Sequence, residues 1–296
     1  MKNNKIFILI FSQFADLFFR ENISNSLPID CPKEGLSMGK KELWIALTAV
    51  FTAIVLSVTQ FWGLTLKTGA WGLSFPTEGQ PPTGPAGSKQ LAQYDAAYLG
   101  DTTEKVIYLT FDAGYENGNV AKILDVLKEE NVPAAFFVLD NLITQNKALV
   151  MRMLDEGHLV CNHTSKHLDV TKCKNIDEFK RELESLENVF KEVTGKEMPK
   201  YFRPPEGKFS EKSMQYASEL GYKTIFWSFA YADWDNGAQP SLDVAKEKIL
   251  ANVHNGEIML LHPTSATNAA ILADVIRELK VQGYRFGTLD ELTNES

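Results

Sequence analysis

The chain has 296 residues, of which 44% are apolar and 23% charged, a balance that excludes a fibrous or mostly disordered protein. Its net charge of −8, with no basic block, argues against nucleic-acid binding, because phosphate contacts need clustered Lys and Arg. Three cysteines, Cys31, Cys161 and Cys173, are too few for a disulfide scaffold.

Residues 1–37 are read as an extension without a folded role. Ile6 to Phe19 is apolar but broken by Gln13 and Asp16, so a second membrane segment is the alternative there. Met38-Gly39-Lys40-Lys41 has the look of a natural start. From Leu43 to Leu66, 24 residues pass without a charge, enough for a helix to cross about 30 Å of hydrocarbon. Lys40 and Lys41 precede this run and only Lys67 follows it, which places the C-terminal part outside the cytoplasm. Residues 38–70 are therefore expected to be a membrane anchor. A cleaved signal segment is the alternative, disfavoured by the length of the run and the lack of a clean small-x-small site. Residues 71–102 read as linker and lead-in. Pro76, Pro81, Pro82 and Pro85 lie there among Gly, Ser, Thr and Gln, so 75–95 is expected to be solvated.

From 103 to 293 strands and helices alternate. Val106–Asp112 is a short apolar run ending in a carboxylate and reads as a buried strand. A helix follows over Asn119–Glu130, then a strand over Ala134–Leu139, a helix over Lys147–Glu156 and a strand over His158–His163. Phe179, Leu183, Leu186, Phe190 and Val193 recur at helical spacing, with Asn175 as N-cap, Glu178 three residues on and Gly195 as terminator. Tyr201–Arg203 is the fourth strand, and a helix starts at Ser210 and stops at Gly221. Thr224–Ala230 is the fifth strand and Leu242–Val253 the next helix. Glu257–His262 is the sixth strand, Asn268–Gln282 the last helix, and Arg285–Phe286 the seventh strand. Seven βα units in series imply an α/β fold with a parallel sheet, either a barrel with seven units or an open doubly wound sheet.

In such folds chemistry gathers at the C-terminal ends of the strands. Asp112 closes strand one, His163 strand three with His167 four residues on, Arg203 strand four and His262 strand six, while Asp233 follows strand five. Buried charges there are costly unless paired or functional. His163 and His167, at i and i+4, can meet on one metal ion if the loop turns helically. Each residue alone has a bland explanation; the joint placement points to a site. His158 and His254 read as structural. Cys161 shares the face of His163 and reads as a packed thiol, with a third metal ligand or a pairing with Cys173 as alternatives.

Thr110-Phe111-Asp112-Ala113-Gly114, His163-Thr164-Ser165-Lys166-His167, Arg203-Pro204-Pro205-Glu206-Gly207, Asp233-Trp234 and Leu260-Leu261-His262-Pro263 resemble, in order, the five motifs of the polysaccharide deacetylases (NodB homology domain, carbohydrate esterase family 4). The resemblance spans about 103–293. Within it, Tyr94 to Gly100, Thr110 to Gly118 and Tyr201 to Glu211 look most like the delta-lactam-biosynthetic de-N-acetylases of spore-forming bacteria.

That resemblance implies a distorted (β/α)7 barrel behind the membrane segment and linker. It also implies metal-dependent removal of acetyl from N-acetylmuramic acid in peptidoglycan, on the way to the muramic delta-lactam of spore cortex. Polymers of N-acetylglucosamine are the alternative substrate, and an inactive wall-binding module is the alternative from another class. Carried over by motif, Asp112 is the general base, Arg203 its partner, His262 the general acid and Asp233 the residue that orients it. His163 and His167 are the ligands of zinc or another divalent cation. Glu206, Trp234 and Tyr115 face substrate, Glu206 through its backbone N–H. Ala113 stands where the family usually has a second Asp as metal ligand, so two imidazoles alone should hold the ion less tightly. The implied partners are the glycan strand of peptidoglycan and the membrane; the chain is expected to be a monomer.

Overall fold

Strand β3, Val106–Ala113, shows how the sheet is built. Its side chains alternate between two apolar layers, as the period of a strand requires. Val106 and Tyr108 join Phe137, Cys161, Tyr201, Ile225 and Ile258 inside the sheet's curl. Ile107, Leu109, Phe111 and Ala113 join the larger layer between sheet and helices. The computed structural model describes residues 66–294. Among them, in chain order, lie β1 (Gly69–Ala70), α1 (Ser88–Leu91), β2 (Ala96–Ala97), β3, α2 (Val120–Glu130), β4 (Ala135–Val138), α3 (Asp140–Gln145), α4 (Lys147–Asp155) and β5 (Leu159–Asn162). Then come α5 (Ile176–Thr194), β6 (Tyr201–Phe202), β7 (Lys208–Phe209), α6 (Glu211–Glu219), β8 (Lys223–Ile225), α7 (Leu242–Asn252), β9 (Glu257–Leu261), α8 (Ala266–Val281), β10 (Arg285–Phe286) and α9 (Leu289–Asn294).

All seven expected strands of the 103–293 region are present and pair in parallel. β4 and β9 flank β3, and β5, β6 and β8 continue from β4. The sheet curls: past β8 the chain reaches Phe229, which bridges Met259 of β9. A curled parallel sheet covered by helices is the coarse form of a (β/α) barrel, not an open doubly wound sheet. Its seventh strand does not lie between the sixth and the first. The carbonyls of Lys105 and Ile107 accept from β10 and that of Ala113 accepts from Leu139 after β4. All three are odd-numbered, so β10 and β4 share one edge of β3 and β9 has the other.

The fifth strand is shorter than the sequence suggested. Phe226 N–H bonds to Ala97, whereas Ser228 and Phe229 N–H bond to Ile258. The backbone changes partner between these residues, so the ladder breaks after Ile225. The gap is filled by the lead-in. β2 pairs in parallel with β8, Leu99 bridges Glu257 and Gly100 N–H bonds to Gly256. This satisfies backbone groups that would otherwise form an open edge.

The 75–95 stretch is therefore only partly the solvated linker expected of it. Phe75 and most of its neighbours are exposed, but Ala86, Leu91 and Tyr94 are buried. They form a cluster with Trp71, Tyr98, Phe209, Met214 and Phe226. Apolar anchors spaced along a Pro-rich segment are what the composition concealed. Trp71 stacks on Phe226 at 4.4 Å, and its Nε1–H donates to the Trp227 carbonyl at 2.9 Å. The anchor expected over 38–70 and the extension over 1–37 lie outside the described residues, except 66–70. Among the described residues, no helix is long and apolar enough to cross a membrane.

Helix caps follow the sequence closely. Asn175 Oδ1 accepts from Glu178 N–H, and Gly195 ends α5 in a left-handed turn at φ 72°. Glu178 reaches back one residue further than a capping box would, to Lys174 N–H. Ser210 caps α6 with Ser213 as its reciprocal partner. The short helix α3 lay hidden because Asp140–Gln145 is too brief for a periodicity.

Trp71→Ala should cost about 3–5 kcal/mol of stability, because it empties a large buried site and orphans a carbonyl. Urea denaturation of the detergent-solubilised chain measures it. An unchanged midpoint would show that the lead-in is no part of the core.

Candidate active site

Asp112 sits on the inward face of β3, one step past Thr110, and lines a cavity of about 620 Å³. Arg203, directly after β6, crosses the inside of the sheet to reach it. The guanidinium has no exposed surface. Its Nη1 donates to Asp112 Oδ1 at 2.8 Å and its Nη2 to Thr110 Oγ1 at 2.9 Å. Its Nε and Nη2 also donate to the carbonyls of Ile225 and Phe226 at 2.9 and 3.2 Å. Thr110 in turn donates to the Met259 carbonyl at 2.7 Å. The Phe137 ring lies 4.2 Å from the guanidinium carbon. Burial alone would push the Asp112 carboxyl up, but the charges of His163, Arg203 and His262 outweigh it and hold it below its ordinary value.

His163 follows β5. Its Nδ1 lies 2.9 Å from the Arg203 carbonyl. A carbonyl only accepts, so Nδ1 carries the hydrogen and Nε2 is left with its lone pair, 3.5 Å from Asp112 Oδ2. Burial pushes its pKa down to about 4, against the pull of Asp112, and the ring is neutral at pH 7. The exposed His167 ring lies 5.2 Å away, at 72° to it. Both line the same cavity. Two neutral-capable imidazoles, one with its tautomer fixed by an outer partner, fit a divalent cation as a two-nitrogen donor set. Among the described residues, no group of three or more His, Cys, Asp or Glu is arranged to hold a metal ion. Cys161 adds no ligand, being wholly buried beneath the site beside Tyr201 and Ile225. Cys161 and Cys173 are both free thiols.

His262, just after β9, lines the same cavity. Its Nδ1–H donates to Asp233 Oδ1 at 2.7 Å, and its backbone N–H donates to Oδ2 at 2.8 Å. Asp233 is fully buried. Burial works against a charged His262, but the hydrogen bond and charge of Asp233, with Asp112 beyond, raise its pKa above the ordinary value. Asn268 completes the grip, its Nδ2 donating to Asp233 Oδ2 at 2.6 Å and to the His262 carbonyl at 3.1 Å. Its Oδ1 accepts from the Tyr231 hydroxyl.

The remaining expected residues form the rim. Trp234 is 60% exposed and meets His262 edge-on at 6.1 Å. Tyr115 is 43% exposed, and its hydroxyl accepts from Asn236 Nδ2 at 2.6 Å. Glu206 holds a left-handed φ of 55°, and its carboxylate pairs with Lys208 at 2.9 Å. Next to it Gly207, at φ 62°, cannot be replaced without strain. A Cβ there would stand 2.7 Å from both the Trp71 Cβ and the Trp227 ring.

Asp112, His163, His167, Arg203, Asp233 and His262 thus come from five separated places in the chain to one cavity or directly behind it. Sequence reading missed Thr110 as the strut of Arg203, and Asn268 and Tyr231 behind Asp233. Asn268 shows only as a helix-start residue, bonded through its N–H to the Ser265 cap. His254, expected to be structural, is fully buried against Ser228 at 2.8 Å and lies apart from the cavity. So does His158, whose Nδ1 accepts from Ala134 N–H.

The chain belongs to the polysaccharide deacetylase family. The model of that family matches residues 99–225. Over 226 residues the chain is 43% identical to the peptidoglycan-N-acetylmuramic acid deacetylase PdaA of Bacillus subtilis, covering 76% of this chain and 86% of that one. It is 36% identical to a peptidoglycan-N-acetylglucosamine deacetylase of Bacillus cereus, covering 64% of this chain and 88% of that one. The solved structure of Bacillus subtilis PdaA, a family 4 carbohydrate esterase, superposes with a TM-score of 0.73 at 42% identity, covering 77% of this chain and 98% of the other.

Arg203→Met should cost about 3–5 kcal/mol, because it strands the Asp112 charge and two carbonyls in a buried site. The sign with pH follows from the depressed pKa of Asp112. Its ionised form adds stability above the ordinary carboxylate value, and that stability is lost as pH falls through the depressed one. In the variant that contribution should vanish and acid unfolding should begin at higher pH. Chemical denaturation at pH 7 and acid titration followed by circular dichroism check both; wild-type curves would refute the pairing.

Proposed function

We propose that the chain hydrolyses the N-acetyl group of N-acetylmuramic acid in peptidoglycan, releasing acetate and a free amine. In a spore-forming cell this is a step toward the muramic delta-lactam of cortex. The observation that carries the reading is the pairing of opposites across one cavity: a carboxylate bonded to a buried guanidinium and an imidazole bonded to a buried carboxylate.

An amide is a poor electrophile, and its nitrogen leaves only after protonation. Asp112 accepts a proton from the attacking water, and Arg203 keeps it ionised until then. His262 donates through Nε2 to the departing nitrogen. Asp233, bonded to Nδ1, sets the ring's orientation and favours its charged form. The Glu206 backbone N–H stabilises the oxyanion, and Trp234 and Tyr115 pack on the sugar at the rim. His163 and His167 hold a divalent cation, zinc or another, which when bound lowers the pKa of water and polarises the acetyl carbonyl.

The segment ahead of residue 66 anchors the chain, since Leu66 packs in the core and Gly69–Ala70 pairs with β7, and residues 103–293 form a distorted (β/α)7 catalytic domain acting as a monomer outside the cytoplasm. The second reading, removal of acetyl from N-acetylglucosamine, is favoured by the identity to the Bacillus cereus relative. The identity to the muramic enzyme is higher and spans more of this chain.

Purified muropeptides incubated with the detergent-solubilised chain and zinc, then sequenced by mass spectrometry, separate the two. Acetyl should leave muramic acid and stay on glucosamine. The reverse would establish the second reading, and no loss from either would support an inactive wall-binding module. Asp112→Asn, which keeps shape but cannot take the proton, should abolish turnover. His262→Ala should lower kcat by about 10²–10⁴. Near-wild-type rates in either variant would remove its role.

A further inference from the structure

The segment that carries His163 and His167 is short, and its backbone is strained. Thr164 and His167 both hold positive φ, at 67° and 60°, a region that residues with a Cβ rarely adopt. Such geometry persists only where the surroundings over-determine it. Thr164 and Ser165 are buried, and Thr164 is held by its N–H, which donates to Asn162 Oδ1, and by its Oγ1, which accepts from Leu168 N–H. Behind the segment lies a second cavity of about 480 Å³, lined by Ser165, Lys166 and Leu168 on the loop side and Glu178, Arg181 and Glu182 on the α5 side. Lys166, His167 and Leu168 are exposed.

Hydrogen bonds across this cavity hold the middle of the segment. A single oxygen, Glu182 Oε1, accepts from two successive N–H groups, Ser165 at 3.1 Å and Lys166 at 3.2 Å. These N–H groups lie midway between the two histidines. From the other side, Asp140 Oδ2 accepts from the Ser165 hydroxyl at 2.9 Å, and Asp140 N–H donates to the Ser165 carbonyl at 3.1 Å. The carboxylate is well suited to this, since bonds from N–H to an ionised acceptor are about twice as strong as neutral ones. Glu182 lies on α5, three residues past the buried Phe179 and one before the buried Leu183, so the helix that carries it is fixed by the core.

From this geometry we infer that Glu182 is a positioning residue for the imidazole pair: it braces the Ser165–Lys166 backbone and so fixes the spacing of His163 and His167 for a cation. This rests on the reading of those histidines as the metal ligands. With no third protein ligand at Ala113, the affinity of the site depends on two nitrogens being held in place before the ion arrives. Partners behind a metal's ligands typically contribute 10–100-fold in affinity. Glu182→Gln keeps an acceptor oxygen toward the loop; Glu182→Ala removes it.

The test uses the detergent-solubilised chain and zinc alone, by calorimetry, with amide hydrogen exchange of the metal-free form and urea denaturation alongside. Glu182→Ala should weaken zinc binding about 10–100-fold and speed exchange at Ser165 and Lys166, with the global unfolding midpoint nearly unchanged. Glu182→Gln should stay within a few-fold of wild type in both. Equal zinc affinity in wild type and Glu182→Ala overturns the proposal and leaves the metal reading intact. A wild-type chain that binds no zinc overturns the two-histidine reading, and the positioning role falls with it. Affinity lost only in proportion to global stability, or lost equally in Glu182→Gln, marks the role as merely structural and also overturns it.

Discussion

A guanidinium with no exposed surface sits inside the curled sheet, and most of the site is arranged around it. Removing that charge from water costs several kcal/mol, and only well-formed hydrogen bonds offset it. Arg203 finds them on two strands: Thr110 and Asp112 on β3, and the Ile225 and Phe226 carbonyls at the end of β8. Its own carbonyl fixes the tautomer of His163 after β5. One residue therefore sets both the charge of the carboxylate and the direction in which the neighbouring imidazole can bind a cation.

The other reacting group is held by the same device. His262 is gripped at ring and backbone by Asp233, and Asp233 by Asn268. In both halves a side chain at the cavity wall is oriented by a buried partner that substrate never needs to touch. Polar networks of this kind are stable only when their members are satisfied, and they then hold one geometry rigidly. The lead-in contributes indirectly. β2 closes the gap beside β8, and Trp71 with its neighbours packs under Phe226, whose carbonyl is one of the acceptors for Arg203.

Much of this was legible in the sequence. Strand ends carrying Asp112, His163, Arg203 and His262 stand out because the strands are otherwise Val, Ile, Leu and Phe, and the α5 pattern from Phe179 to Phe190 gave both its length and its buried face. What stayed hidden depends on distance along the chain. Thr110 looks like any strand threonine until Arg203 lies beneath it, and Glu182 like any surface helix acid until the histidine loop folds over it. The 75–95 stretch misled because four prolines dominate its composition, whereas Leu91 and Tyr94 decide its packing. The seventh strand misled because series order predicts a closed ring, whereas backbone parity puts β10 on the edge of β3 that β4 also uses.

The pH dependence of kcat/KM on an N-acetylated muropeptide tests the central claim most directly, namely that Arg203 holds the pKa of Asp112 down and Asp233 holds that of His262 up. Activity should rise over the acid range in which Asp112, held below the ordinary carboxylate value, and His163, with a pKa of about 4, lose their protons, and fall through the pKa of His262, above the ordinary imidazole value. A bell whose alkaline limb lies below the ordinary imidazole value would contradict the account.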